Sequence, residues 1–90
     1  MKLILILESE DIDILCLQET WIAEGTAPLT LPGFTVIESR RSGCTRGGLA
    51  IYVRKPLQIE STQHNEYGIF AKILLPNSTR INIINIYLPP

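Results

Sequence analysis

The sequence predicts a small α+β domain, built from one mostly antiparallel β-sheet with one short amino-terminal helix over part of one face. Three observations lead there. Short apolar runs rich in Ile, Leu, Val and Tyr recur along the chain and have the composition of strands. Turn formers separate them at Pro28, Pro32-Gly33, Gly47-Gly48, Pro56 and Pro76-Asn77-Ser78, and the short connections favour antiparallel neighbours. Ahead of the first such run lies a lead-in of Leu, Ile and acids. Ninety residues allow one small domain, and 46% hydrophobic residues exclude intrinsic disorder.

Taken in order, residues 2–10 read either as a strand or as the last two turns of a helix, with Leu3, Ile6 and Leu7 on one face. Residues 13–21 hold an apolar run from Ile14 to Leu17 with no Gly or Pro inside it. This suits a strand buried on both faces, and pattern alone leaves a buried helix segment open. Residues 21–32 form a loop, and 35–38 a short strand. Residues 39–48 are a basic, glycine-rich loop. In the strand 49–53, Leu49, Ile51 and Val53 share one face, and Ala50 and Tyr52 the other. Residues 58–66 are polar and read as mostly irregular. A strand at 67–75 is ended by the turn residues Pro76-Asn77-Ser78. The last strand, 80–88, puts Ile81, Ile83, Asn85 and Tyr87 on one face and Asn82, Ile84, Ile86 and Leu88 on the other. Isoleucines on both faces predict a central strand covered on both sides. An amide at Asn85 inside it then needs hydrogen-bond partners, because burying one unpaired is costly.

Charge is unevenly spread. Residues 1–38 carry seven acids and one base, residues 39–90 seven bases and two acids. The second part suits an anionic partner, although no basic run is long enough to be a nucleic-acid patch alone. Two cysteines are too few for a disulfide framework. Cys16 is expected to act as a small buried hydrophobe and Cys44 lies in a polar loop, so both are expected as free thiols in an intracellular or nuclear setting. The apolar start is too short to span a membrane and lacks a signal-peptide cleavage site.

Three features carry possible chemistry. Glu19 is a carboxylate at the end of an apolar strand, held by a rigid element yet able to meet a ligand, and hard cations such as Mg²⁺ favour carboxylate oxygens. Set against this, strand-end acids mostly just face water. Tyr87, near the exit of the last strand, could donate its phenol to a phosphate oxygen, or could be a core ring with a wet hydroxyl. Gly47-Gly48 with Arg46 lacks the spacing of a phosphate loop, so it is assigned a structural role, with Arg40, Arg41 and Arg46 as weak nucleic-acid candidates. His64 reads as a surface residue.

The stretches Leu17-Gln18-Glu19-Thr20-Trp21, Gly47-Gly48-Leu49-Ala50-Ile51-Tyr52-Val53 and Asn85-Ile86-Tyr87-Leu88-Pro89-Pro90, in this order and spacing, resemble the first half of the endonuclease/exonuclease/phosphatase superfamily. The wording is most similar to the endonuclease domain of non-LTR (LINE-type) retrotransposons, part of a reverse transcriptase polyprotein. The resemblance implies half of a DNase I-like four-layer α/β-sandwich and favours the helix at residues 2–10. It implies Glu19 as a metal ligand, Tyr87 lining the active site, Mg²⁺ or Mn²⁺ as cofactor, and DNA nicking as the parent activity. It also implies an earlier strand bearing an Asn, and a later Asp-x-Asn pair, a further Asp and an Asp-His pair, none of them within these 90 residues. The chain is therefore expected to be inactive alone and to need the missing second half of the domain, or to self-associate. Abasic-site repair nucleases, sphingomyelinases and inositol-phosphate phosphatases share this half of the motif set. The rival class is non-enzymatic, either an inert remnant or a small β-rich binding module. An upstream strand with Asn and a downstream Gly-Asp-Phe-Asn-like stretch in the flanking reading frame would decide for an enzyme.

Overall fold

The computed structural model describes residues 12–18, 20, 30–39, 48–65 and 67–87. These form six strands: β1 (Ile14–Gln18), β2 (Phe34–Ser39), β3 (Leu49–Arg54), β4 (Gln58–Asn65), β5 (Gly68–Leu74) and β6 (Arg80–Ile86). They build two antiparallel three-stranded sheets, sheet A in the order β1-β3-β2 and sheet B in the order β4-β5-β6.

Each sheet is organised around its middle strand. On β3, Leu49, Ile51 and Val53 point inward and meet Ile69, Ala71 and Ile73 of β5, and all six are buried. Strands with one apolar face each cannot hide it in a single layer, so two sheets close on each other with their inner faces interdigitated. The cross-strand register extends this core, with Ile14 opposite Val53, Ile37 opposite Ile51, and Ile83 and Ile81 opposite Ala71 and Ile73. The outer face of sheet A is also buried: Ala50 and Tyr52 pack with Leu31, Leu15, Leu17, Phe34 and Val36. The outer face of sheet B stays open, with Ile84 61% and Ile86 54% exposed.

Local chemistry sets the turns. Phe34 N–H donates to the Leu31 carbonyl at 3.1 Å around Pro32-Gly33, and Gly33 has φ +80°. Pro followed by a positive-φ Gly is what a type II turn requires. The turn expected at Pro76-Asn77-Ser78 forms, with Asn77 Oδ1 accepting from Thr79 N–H at 3.0 Å.

Several expectations are corrected. The described residues are all β, in two sheets rather than one, so the α+β class with an amino-terminal helix does not hold for them. The helix expectation fell on residues 2–10, outside the described residues. Residues 58–65, read as irregular, are β4. Its side chains are almost all exposed, so no burial pattern marks it, and pairing with β5 makes it a strand. The strand buried on both faces is β3, not β1 or β6, which are both edges. Cys16 is consequently exposed rather than a core hydrophobe, although partial desolvation by its neighbours still raises its thiol pKa. In β6 the alternation holds, but only the Ile81, Ile83 and Asn85 face is covered.

Candidate functional site

At one end of the sandwich β1, β2, β4 and β6 finish while β3 and β5 begin. Its centre is Asn85, 4% exposed on the inward face of β6. Asn85 Nδ2 donates to the Leu17 carbonyl of β1 at 3.0 Å and the Ala50 carbonyl of β3 at 3.1 Å. Its Oδ1 accepts from Gln18 Nε2 at 3.3 Å. The amide expected to need partners thus finds them all in the opposite sheet. Gln18 Nε2 also donates to the Ile86 carbonyl at 2.6 Å. That carbonyl is available because Tyr87 N–H donates to the Tyr67 carbonyl at 3.0 Å on the β5 side, and successive residues of a strand turn their backbone groups to opposite edges.

Thr20 and Gly48 complete the corner. Thr20 N–H donates to the Gly48 carbonyl at 3.3 Å, extending the β1–β3 pairing beyond Gln18. Gly48 has φ +94°, and a Cβ there would collide with Thr20 Oγ1. Only glycine suits both the backbone and the space. This supports the structural role assigned from sequence to Gly48, whereas Gly47 lies outside the described residues. Nearby, Ser39 Oγ donates to the Asn65 carbonyl, tying the ends of β2 and β4.

Of the residues singled out from sequence, Tyr87 follows β6 directly, is half-buried and packs on the edge of the inner core. Glu19 follows directly on Gln18 in the chain, but it lies outside the described residues, as do Arg40, Arg41 and Arg46. His64 is exposed on β4, as expected. Sequence reasoning missed Gln18 and Thr20. Asn85 was flagged because an amide inside a covered strand needs partners, a rule that did not reach Gln18 at the exposed end of β1. Thr20 carried no such signal, because its partner Gly48 lies across the sheet.

Among the described residues no three His, Cys, Asp or Glu side chains cluster closely enough to hold a metal ion. The corner offers neutral amides, a hydroxyl and carbonyls, and these alone do not make a site for a hard divalent cation, which favours carboxylates. They tie the two sheets together at this end. Among the described residues, no helix is long and apolar enough to cross a membrane.

The Endonuclease/Exonuclease/phosphatase family matches the chain over residues 2–88. The chain belongs to this family, and its domain is of the nuclease or phosphatase type. Members generally depend on a divalent metal, and nucleic acid is the substrate class that the nuclease branches suggest. No curated protein matches the chain in sequence.

Proposed function

We propose that the chain is part of a divalent-metal-dependent DNA endonuclease domain of the kind carried by LINE-type retrotransposons. In this reading Glu19 supplies a carboxylate to the metal, and the Tyr87 phenol donates to a phosphate oxygen. Arg40, Arg41 and Arg46 lie in a basic stretch of sequence that would favour the DNA backbone. Bound Mg²⁺ or Mn²⁺ would polarise the phosphate and stabilise developing charge. The observation that carries the reading is the 2.6 Å hydrogen bond from Gln18 to the Ile86 carbonyl, which joins the residues immediately before Glu19 and Tyr87. The remaining carboxylates and the histidine that the resemblance implies must come from outside these 90 residues. The exposed face around Ile84 and Ile86 is where the rest of the domain, or a second copy, would rest.

The test has two arms. The 90-residue chain alone should not nick plasmid DNA with Mg²⁺ or Mn²⁺. Joined in frame to a matching upstream strand and second half, it should, and Glu19→Gln should then weaken metal binding with the fold intact. Tyr87→Phe should leave metal affinity nearly unchanged and slow cleavage by roughly a hundredfold, the scale of one lost transition-state hydrogen bond. A Glu19→Gln protein that binds Mg²⁺ and cleaves as well as its parent would overturn the assignment.

A further inference from the structure

We infer that Asn85 and Gln18 form a positioning pair, setting the spacing between the two strand ends that carry Glu19 and Tyr87. The inference rests on the function proposed above, but its structural half can be tested separately.

The argument starts from what Asn85 touches. A buried amide can be satisfied anywhere in a sheet through its own neighbours. Here both donated bonds and the accepted one cross to the other sheet, reaching Leu17, Ala50 and Gln18. Leu17 and Gln18 are the last two residues of β1, and Ala50 is the second residue of β3. Asn85 therefore grips the final turn of pairing before residue 19 from a point two residues before Tyr87. Gln18 closes the loop in the reverse direction, from β1 to Ile86 of β6. Apolar contact between the sheets is non-directional and allows them to slide by fractions of an ångström. Hydrogen bonds are directional, and a reciprocal set between two strand ends fixes their register. Reactive groups held on strands need that kind of support, because small misplacements are costly to catalysis. Neither amide touches the reacting atoms in this scheme, so both are positioning residues.

The local reporters are amides already described: Thr20 N–H bonded to Gly48, Tyr87 N–H bonded to Tyr67, and the buried Ala71 in the middle of β5 as reference. Hydrogen exchange would be measured by NMR on the full 90-residue chain for the parent, Asn85→Leu and Gln18→Leu. Asn82→Leu, on the exposed outer face of β6, serves as control. The expected result is that the ratio of exchange rates, Thr20 to Ala71 and Tyr87 to Ala71, rises at least tenfold in Asn85→Leu and in Gln18→Leu. It should stay within twofold of the parent in Asn82→Leu. Asn85→Asp, which keeps the acceptor but sets a carboxylate oxygen against the Leu17 and Ala50 carbonyls, should raise the ratio as well. A uniform rise at all amides would mean a merely structural role and would overturn the inference, as would an unchanged ratio. If Asn85→Leu does not fold, the exposed Gln18→Leu variant decides by the same ratio.

A second readout separates the inference from the function beneath it. A 12-base-pair DNA duplex is added to each protein, and the Tyr87 signals are followed. Shifts in the parent that weaken at least fivefold in Gln18→Leu and survive in Asn82→Leu support both claims. If the exchange pattern appears while the duplex leaves Tyr87 unmoved in the parent, the positioning pair stands and the DNA reading fails. If the duplex moves Tyr87 equally in all variants, the DNA reading stands and the positioning pair is overturned.

Discussion

One end of the sandwich is closed by hydrogen bonds between the sheets, through Asn85, Gln18, Ser39 and the carbonyls they reach. The opposite end, where β1 and β6 begin and β3 and β5 finish, is arranged otherwise. There Arg54 Nε donates to the Ile12 carbonyl at 2.8 Å and its guanidinium lies 4.6 Å from the centre of the Phe34 ring, contacts that stay on the side of sheet A. Between the sheets at that end runs a groove of about 550 Å³, lined among others by Ile14, Arg54, Leu57, Leu75 and Ile81. The difference is one of kind. Asn85 and Ser39 are buried, and a buried polar group with its partners in place favours a single arrangement. Among the described residues the groove is lined largely by apolar side chains from both layers, and apolar contact is non-directional. Both sequence candidates that carry the proposed chemistry follow strands that finish at the specified end.

The largest expected effect comes from a change that should not distinguish the ends. Ile51 lies fully buried in the middle of β3, facing the other sheet. Ile51→Ala should cost about 2–5 kcal/mol, as buried aliphatic truncations do. Amide protection should fall by the same factor at Thr20 and at Arg54, whose N–H is bonded to Asp13. Loosening confined to one end would break the comparison by showing that the core is not shared.

A smaller effect should separate the ends. Gly48→Ala forces a side chain onto a φ of +94° and against Thr20. The strain should cost roughly 1–3 kcal/mol, read by thermal or denaturant unfolding. Exchange at Thr20 should accelerate more than at Arg54. Equal acceleration would mean that the corner is not a separately specified unit.

How far this contrast could be read from the chain follows from what alternation encodes. Period-two patterning states which residues share a face, and the faces of β3 and β6 were legible for that reason. It does not state what lies opposite, so β6 read as central although its outer isoleucines are exposed. In β4 only Ile59 dips inward, and a strand made by backbone pairing leaves no trace in side-chain pattern. Asn85 was legible as an amide in need of partners, because that follows from its own burial. Gln18, Leu17 and Ala50 as those partners were not, since they lie 35 to 68 positions away. Gly48 was legible as structural, but not its reason, the Thr20 hydroxyl pressed against it.

The smallest expected effect tests what holds the opposite end. Arg54 has an ion-pair contact there, Nε to Asp13 Oδ1 at 3.8 Å, but the Asp13 side chain is 71% exposed. An exposed pair at that distance should contribute no more than about 1 kcal/mol. The 2.8 Å hydrogen bond to the Ile12 carbonyl and the stacking on Phe34 are shorter-ranged and less wet. Together they should add about 1–2 kcal/mol. Arg54→Met keeps most of the stem and removes the guanidinium, so it should lower stability by roughly 1–2 kcal/mol. Salt then separates the causes, because at 1 M the screening length falls to about 3 Å. If the hydrogen bond and the ring carry the effect, the gap between Arg54→Met and parent should be nearly the same in 0.05 M and 1 M NaCl. Asp13→Asn should then cost little at either concentration. If instead the gap closes in 1 M salt and Asp13→Asn reproduces it in low salt, a long-range charge pair holds this end. The two ends would then differ in the range of their forces as well as in which layers they join.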